Sequence, residues 1–101
     1  MSKKLGIYAS SDEHLDKIIK LCRAAKRKDV EVSIFFTHIG TRLCTDPRMK
    51  ELEGIATVAL CKVGFEGNEL NKDHAQVDDK KFLSQSWHAE MIYDIDRYLT
   101  F

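Results

Sequence analysis

Three short apolar segments constrain this chain more than any other feature: Lys4–Ser10 (KLGIYAS), Val30–Thr37 (VEVSIFFT) and Ile55–Cys61 (IATVALC). They carry β-branched and aromatic residues and are too short for buried helices, so each reads as a strand. The first and the third are apolar enough to be covered on both faces, as in the interior of a parallel sheet. Between the first two, Leu15, Ile18, Ile19 and Cys22 recur at i, i+3, i+4 and i+7 and predict one buried helical face. Lys17, Lys20, Arg23, Lys26 and Arg27 cover the remaining, solvated side, with the basic end suited to the helix dipole. Ser10 stands three residues before Glu13, the spacing of a capping box, and predicts a helix that begins there.

The second half continues the alternation. His38–Thr45 reads as a loop or short helix. Asp46 and Pro47 supply an N-cap and a first helical residue for the next helix, which Gly54 ends. Lys62–Leu70 reads as helical and carries Phe65; Asn71–Lys81 is polar and without period, a surface loop. Phe82-Leu83-Ser84 reads as a very short fourth strand, and Ser84 or Ser86 as the cap of a last helix with Trp87, Met91, Ile92 and Ile95 on one face. Arg97–Phe101 alternates as a closing strand. Strands alternating with helices predict a parallel sheet with helices on both faces. The chain has 101 residues, of which 44% are apolar, enough for one domain over residues 1–101.

Composition narrows the function. Sixteen basic and sixteen acidic residues give zero formal charge, so there is no built-in field for nucleic acid or membrane phosphates. The same neutrality leaves little repulsion between copies and so permits self-association. The stretch Met1-Ser2-Lys3-Lys4 with the short apolar run after it lacks the pattern of a signal peptide, and no apolar run approaches the roughly 18 residues of a membrane span. A cytoplasmic location is the expectation. Cys22, Cys44 and Cys61 are odd in number and widely spaced, unlike a disulfide scaffold, and form no C-x-x-C pair. The turn after the first strand, Ala9-Ser10-Ser11-Asp12, lacks the glycines of a dinucleotide fold, and no phosphate-binding loop or G-x-S-x-G elbow is present. A phospho-receiver domain would carry aspartate where Cys61 stands, and a cysteine phosphatase loop would need arginine at Gly67. No cofactor is expected.

In a parallel sheet, ligands gather at the carboxyl ends of the strands. Those ends carry Ser10 and Ser11, Thr37 and His38, Cys61 and Lys62, and Ser84 through His88. Cys61 is the candidate nucleophile. A thiol between a strand and a helix meets the positive end of the helix dipole, which favours the thiolate, and Lys62 adds a cation. The competing reading is packing, since free cysteine is commonly a small buried hydrophobe. Cys44, expected in a loop on the same edge, is either a resolving thiol or an ordinary loop cysteine, and Cys22 belongs to the core. His38 and His88 are candidates to act as a base or to orient a thiolate. These four residues match no short metal motif, and no metal is expected. His14 and His74 read as solvent-exposed.

In this light the chain resembles the DsrE/DsrF/TusD family of small sulfur-relay proteins. The resemblance is carried by Phe35-Phe36-Thr37-His38-Ile39-Gly40, an aromatic strand with a glycine turn; by the apolar strand running into Cys61; and by the C-terminal region, with Phe82 and the serine that follows it, Ala89-Glu90, Asp96-Arg97 and Phe101. It spans nearly the whole chain through the order of these pieces. The chain is shorter than such subunits between the second and third strands, and Lys62–Gly67 is richer in glycine and acid than their counterpart. The resemblance implies a three-layer α/β/α fold with a five-stranded, mainly parallel sheet, and assembly into trimers or hexamers, as a homo-oligomer or with paralogous subunits. It also implies a cysteine at the position of Cys61 that carries sulfur as a persulfide between donor and acceptor proteins. Two further functions stay open: a peroxiredoxin-like thiol redox protein pairing Cys61 with Cys44, and a binding module without covalent chemistry.

Overall fold

The computed structural model of the chain describes residues 3–101. Met1 and Ser2, part of the N-terminal stretch read above for a leader, lie outside the described residues. The strands are β1 (Lys3–Ala9), β2 (Val30–Phe36), β3 (Thr57–Cys61), β4 (Phe82–Leu83) and β5 (Arg97–Thr100). They form one sheet in the order β4-β3-β2-β1-β5, and every neighbouring pair is parallel. The helices are α1 (Leu15–Arg27), α2 (Lys62–Gly67) and α3 (Gln85–Asp94). The expected α/β class and five-stranded parallel sheet are therefore observed.

The strand order explains where the helices lie. Crossovers between parallel strands are right-handed, so reversing the direction of travel across the sheet moves the connection to the opposite face. From β1 to β4 each connection steps the same way. Ile18, Ile19 and Cys22 of α1, Leu43 and Met49 of the β2–β3 connection, and Phe65 of α2 all join one core with Ile7, Ile34, Phe36, Val58 and Leu60 of the sheet. The last connection runs back from β4 to β5, and α3 lies on the other face. There Phe35, Ala59 and Cys61 form a second cluster, with Tyr8, Leu83 and Trp87 packed against it. The period-2 alternation of side chains along β2 and β3 produces this division.

Several local expectations are corrected. Ser10 does not cap α1. The helix begins at Leu15, with His14 at the N-cap and no side-chain cap bond. Ser10 instead extends the sheet edge: its N–H and its hydroxyl both donate to the Phe101 carbonyl, at 2.9 and 3.3 Å. The next predicted helix is a 3-10 helix over Pro47–Leu52, although its cap is the expected one, with Asp46 accepting from the Arg48 N–H. The segment His38–Thr45 is also 3-10. The third strand begins at Thr57 rather than Ile55, and the helix after it ends at Gly67. Ser84 caps α3 by accepting from the Ser86 N–H. The predicted apolar face of α3 is incomplete: Met91 is buried, but Ile92 is 45% exposed. Gly6 leaves room for this helix, since a Cβ there would overlap the end of Ile95 and crowd the Met91 methyl at 3.2 Å. His74 is exposed as expected, while His14 is half-buried with its ring 6.0 Å from that of Phe101. Among the described residues, no helix is long and apolar enough to cross a membrane.

Candidate functional site

Cys61 is the last residue of β3 and the N-cap of α2. Its extended backbone turns the chain from the sheet into the helix. Its sulfur occupies the position of a capping oxygen, accepting from the Gly64 N–H at 3.4 Å. Helix starts leave such N–H groups without intrahelical partners, and an acceptor side chain at this position can take one up. The residue is 7% exposed. Phe35 and Ala59 line it from the sheet, and Leu83 and Trp87 close the cluster from β4 and α3.

Gly64 and Asn68 hold this junction against the neighbouring turn. A Cβ on Gly64 would sit 3.2 Å from the His38 nitrogen and 3.3 Å from the Thr41 methyl, so α2 approaches the His38 turn as closely as glycine allows. The Asn68 amide nitrogen donates to the His38 carbonyl (2.7 Å), the Thr41 hydroxyl (2.9 Å) and the Gly64 carbonyl (3.0 Å). Thr41 also donates to the His38 carbonyl at 2.8 Å. His38 itself has φ +51°, in the left-handed region. Asn68 was not singled out from the sequence. In the sequence it falls inside the segment read as helical, where a lone asparagine reads as a solvated surface residue.

The other predicted residues are distributed differently. Lys62 is adjacent to Cys61, exposed, and in no ion pair among the described residues. His38 is exposed at the same edge, held through its backbone rather than its ring. His88 lies on the Cys61 face. Its ring stacks on Phe35 (5.4 Å, 22°), lies 4.5 Å from the Tyr8 ring, and shares a 2.8 Å hydrogen bond through Nε2 with the Tyr98 hydroxyl. His88 thus stacks on a ring of the cluster that holds Cys61, and no hydrogen bond joins the two residues. Cys44 is not brought to Cys61. It is fully buried in the main core, and the sheet separates that core from the second cluster. Burial pushes the Cys44 thiol well above its ordinary range and the Cys22 thiol up to about 11. Among the described residues no three His, Cys, Asp or Glu side chains come together as a metal site.

Burial lowers the His88 pKa, because the apolar surroundings disfavour the imidazolium. Its folded pKa therefore lies below the unfolded value near ~6.5. The unfolded chain binds the extra proton in that window, so stability rises with pH there. The contribution is present above the unfolded value and is lost as pH falls through it, levelling off below the folded pKa. Urea midpoints measured between pH 5 and 7.5 are expected to show this slope, and His88→Gln to flatten it. An unchanged slope in the variant places its origin elsewhere.

A larger cavity of about 640 Å³ lies towards the amino ends of the strands, on the α3 face, with Ser33, Thr57, Glu90, Asp94 and Trp87 among its walls. Trp87 is common to this groove and to the Cys61 cluster. The classical ligand position of such a sheet is where the strand order reverses, here between β1 and β5. It is closed by chain, since the Phe101 N–H donates to the Tyr8 carbonyl at 2.9 Å while the Phe101 carbonyl accepts from Ser10. Beside it, the Ser11 hydroxyl is buried without a hydrogen-bond partner among the described residues. A comparison with known protein families finds no family model that matches this chain, and a search of curated proteins finds no relative.

Proposed function

We propose that this protein is a cytoplasmic sulfur carrier of the DsrE type, in which Cys61 takes up sulfur as a persulfide and passes it to an acceptor protein. The observation that carries the reading is the contrast among the three thiols. Cys22 and Cys44 are enclosed in the main core. Cys61 ends a strand at the carboxyl edge with a backbone N–H directed at its sulfur. Such a donor suits a sulfur that gains negative charge during exchange. The five-stranded parallel sheet and the strand-to-helix position of the cysteine agree with the resemblance read from the sequence.

The transfer is an exchange of one S–S bond. The Cys61 thiolate attacks the outer sulfur of a donor persulfide, R–S–SH. A bond forms between the two sulfurs, the donor S–S bond breaks, and R–S⁻ leaves with its electron pair. The proton stays on the transferred sulfur, giving Cys61–S–SH, and no external oxidant or reductant is consumed. An acceptor thiolate then repeats the step on the outer sulfur of Cys61–S–SH. The cover over Cys61 is light: Leu83 and Trp87 pack against its cluster from a segment made of a two-residue β4 and of α3, which buries only Met91. The Gln85 amide fastens that segment to the edge by donating to the Thr37 hydroxyl at 3.0 Å. Sulfur donor and acceptor proteins are the partners, and a homo-oligomer, a trimer or a hexamer, is the assembly in which the chain acts. Exposed Tyr93, Ile92 and Leu99 supply apolar surface for it.

The 7% exposure of Cys61 favours a second reading, a binding module in which Cys61 is packing. One experiment separates the two. Native protein is alkylated across pH and mapped by mass spectrometry, then challenged with a persulfide donor. A carrier labels at Cys61 at least about tenfold faster than at Cys22 or Cys44, since a buried thiol is inert and an accessible thiolate is not. It also gains one sulfur at Cys61, and Cys61→Ser loses that sulfur. Transfer that persists in Cys61→Ser refutes the carrier, and labelling no faster than Cys22 supports the module.

A further inference from the structure

At the opposite end of the strands from Cys61, a cavity of about 300 Å³ opens between the last turn of α1 and the outer strand β5. Its floor is apolar, with Leu5, Leu21, Ala24 and Val30. Ala24 and its neighbour Ala25 are the reason the notch exists: two small side chains at the end of α1 do not reach across to the edge of the sheet. Its rim is cationic. Lys3, Lys28 and Arg97 stand around it, all exposed, and none forms an ion pair among the described residues. Arg97 is paired in register with Leu5, so a cation stands beside the apolar floor. The one acid at the rim, Asp96, already accepts from the Lys4 N–H at 2.8 Å.

We propose that this notch binds a small amphipathic anion, a single acyl chain carrying one carboxylate, with the tail on Leu21 and Ala24 and the carboxylate met by Lys3, Lys28 and Arg97. Its size is at the small end of ligand pockets, which fits one chain and excludes larger cofactors. The carbonyl end of α1 opposes an anion, but its last carbonyls are occupied: Ala24 and Ala25 accept from the Lys28 N–H, and Lys26 from the Asp29 N–H. Unpaired cations over an apolar surface are the complement of such a ligand. Neutral apolar molecules gain nothing from the rim, and cations are repelled by it. The site is independent of the Cys61 chemistry.

The test is a titration of the full chain with octanoate, followed by amide ¹H–¹⁵N shifts, with octanol and octylammonium as controls. Saturable shifts are expected at Leu5, Leu21, Ala24 and Arg97, with octylammonium binding at least about fivefold more weakly. Lys28→Gln and Arg97→Gln each weaken octanoate by roughly threefold while leaving octanol unchanged. Ala24→Leu fills the notch and removes binding; its folding is checked by the unchanged shifts of the Cys61 face. Absence of saturable shifts, equal binding of octylammonium, or shifts centred on another surface each overturn the proposal.

Discussion

Replacing Phe35 with alanine is expected to remove about 3–5 kcal/mol of folding stability, among the largest losses a single truncation produces. Phe35 is fully buried at the centre of the α3 face. Its ring lies 6.4 Å from Tyr8, 5.8 Å from Trp87 and 5.4 Å from His88, between centroids. It is thus the common contact of β1, α3 and the Cys61 cluster. The main core has many large side chains to settle into a cavity; this side has few, because α3 buries only Met91. A cavity here stays open, and the cost tends to the upper end of that range. Phe35→Leu keeps most of the volume and costs less than about 1.5 kcal/mol. Urea unfolding checks both, with the midpoint falling and the slope unchanged. A loss below about 1 kcal/mol for alanine shows that α3 is not packed on this ring.

Gly40→Ala is expected to destabilise by about 3 kcal/mol, at the upper end of the overpacking range, although it adds a single methyl. The added Cβ would overlap the Ala9 carbonyl oxygen and lie 2.9 Å from the Ala9 carbonyl carbon and 3.3 Å from the Ser11 carbonyl oxygen. These are backbone atoms, which cannot rotate away. The Ala9 carbonyl is also engaged, accepting from the Thr37 N–H at 2.9 Å. The clash therefore parts the carboxyl ends of β1 and β2. Gly67→Ala is the control. Nothing lies within 4 Å of its Cβ position and the residue is helical, so alanine there stabilises by roughly 0.5–1 kcal/mol. Thermal melts of the two variants should move in opposite directions. Equal shifts would show that the close approach at Gly40 is not what requires glycine.

How much of this was legible beforehand follows from what each signal reports. The face of α1 was clear because four apolar residues at helical spacing all enter one core. The cap at Asp46 was clear because an Asx side chain and a proline act locally. The helix they start could be read only as a helix, because propensity does not distinguish an α-helix from the six-residue 3-10 segment observed. Ser10 carried a capping spacing, yet the stronger partner was the Phe101 carbonyl, ninety-one residues away and invisible to local reasoning. Ile92 fell on a predicted apolar face, but it lies on the outer side of α3 and is 45% exposed.

The candidate site divides along the same line. That Cys61 ends a strand and begins a helix was contained in the order of residues, because an apolar run stopped there and a turn followed. That Gly64 donates to its sulfur is then a consequence of helix geometry. Whether Cys44 could meet Cys61 was beyond the sequence. Both lie near the carboxyl edge in chain order, but strand order and crossover handedness put Cys44 in the core that α1 also joins and Cys61 in the cluster that Trp87 of α3 joins, on opposite faces of the sheet. The same holds for His88, whose partners Tyr8, Phe35 and Tyr98 come from three strands. Local pattern determined which segments are strands and helices, since burial on one face imposes a period. Which residues share a face and touch was decided only by the tertiary structure, since that depends on the strand order β4-β3-β2-β1-β5, a property of the whole chain.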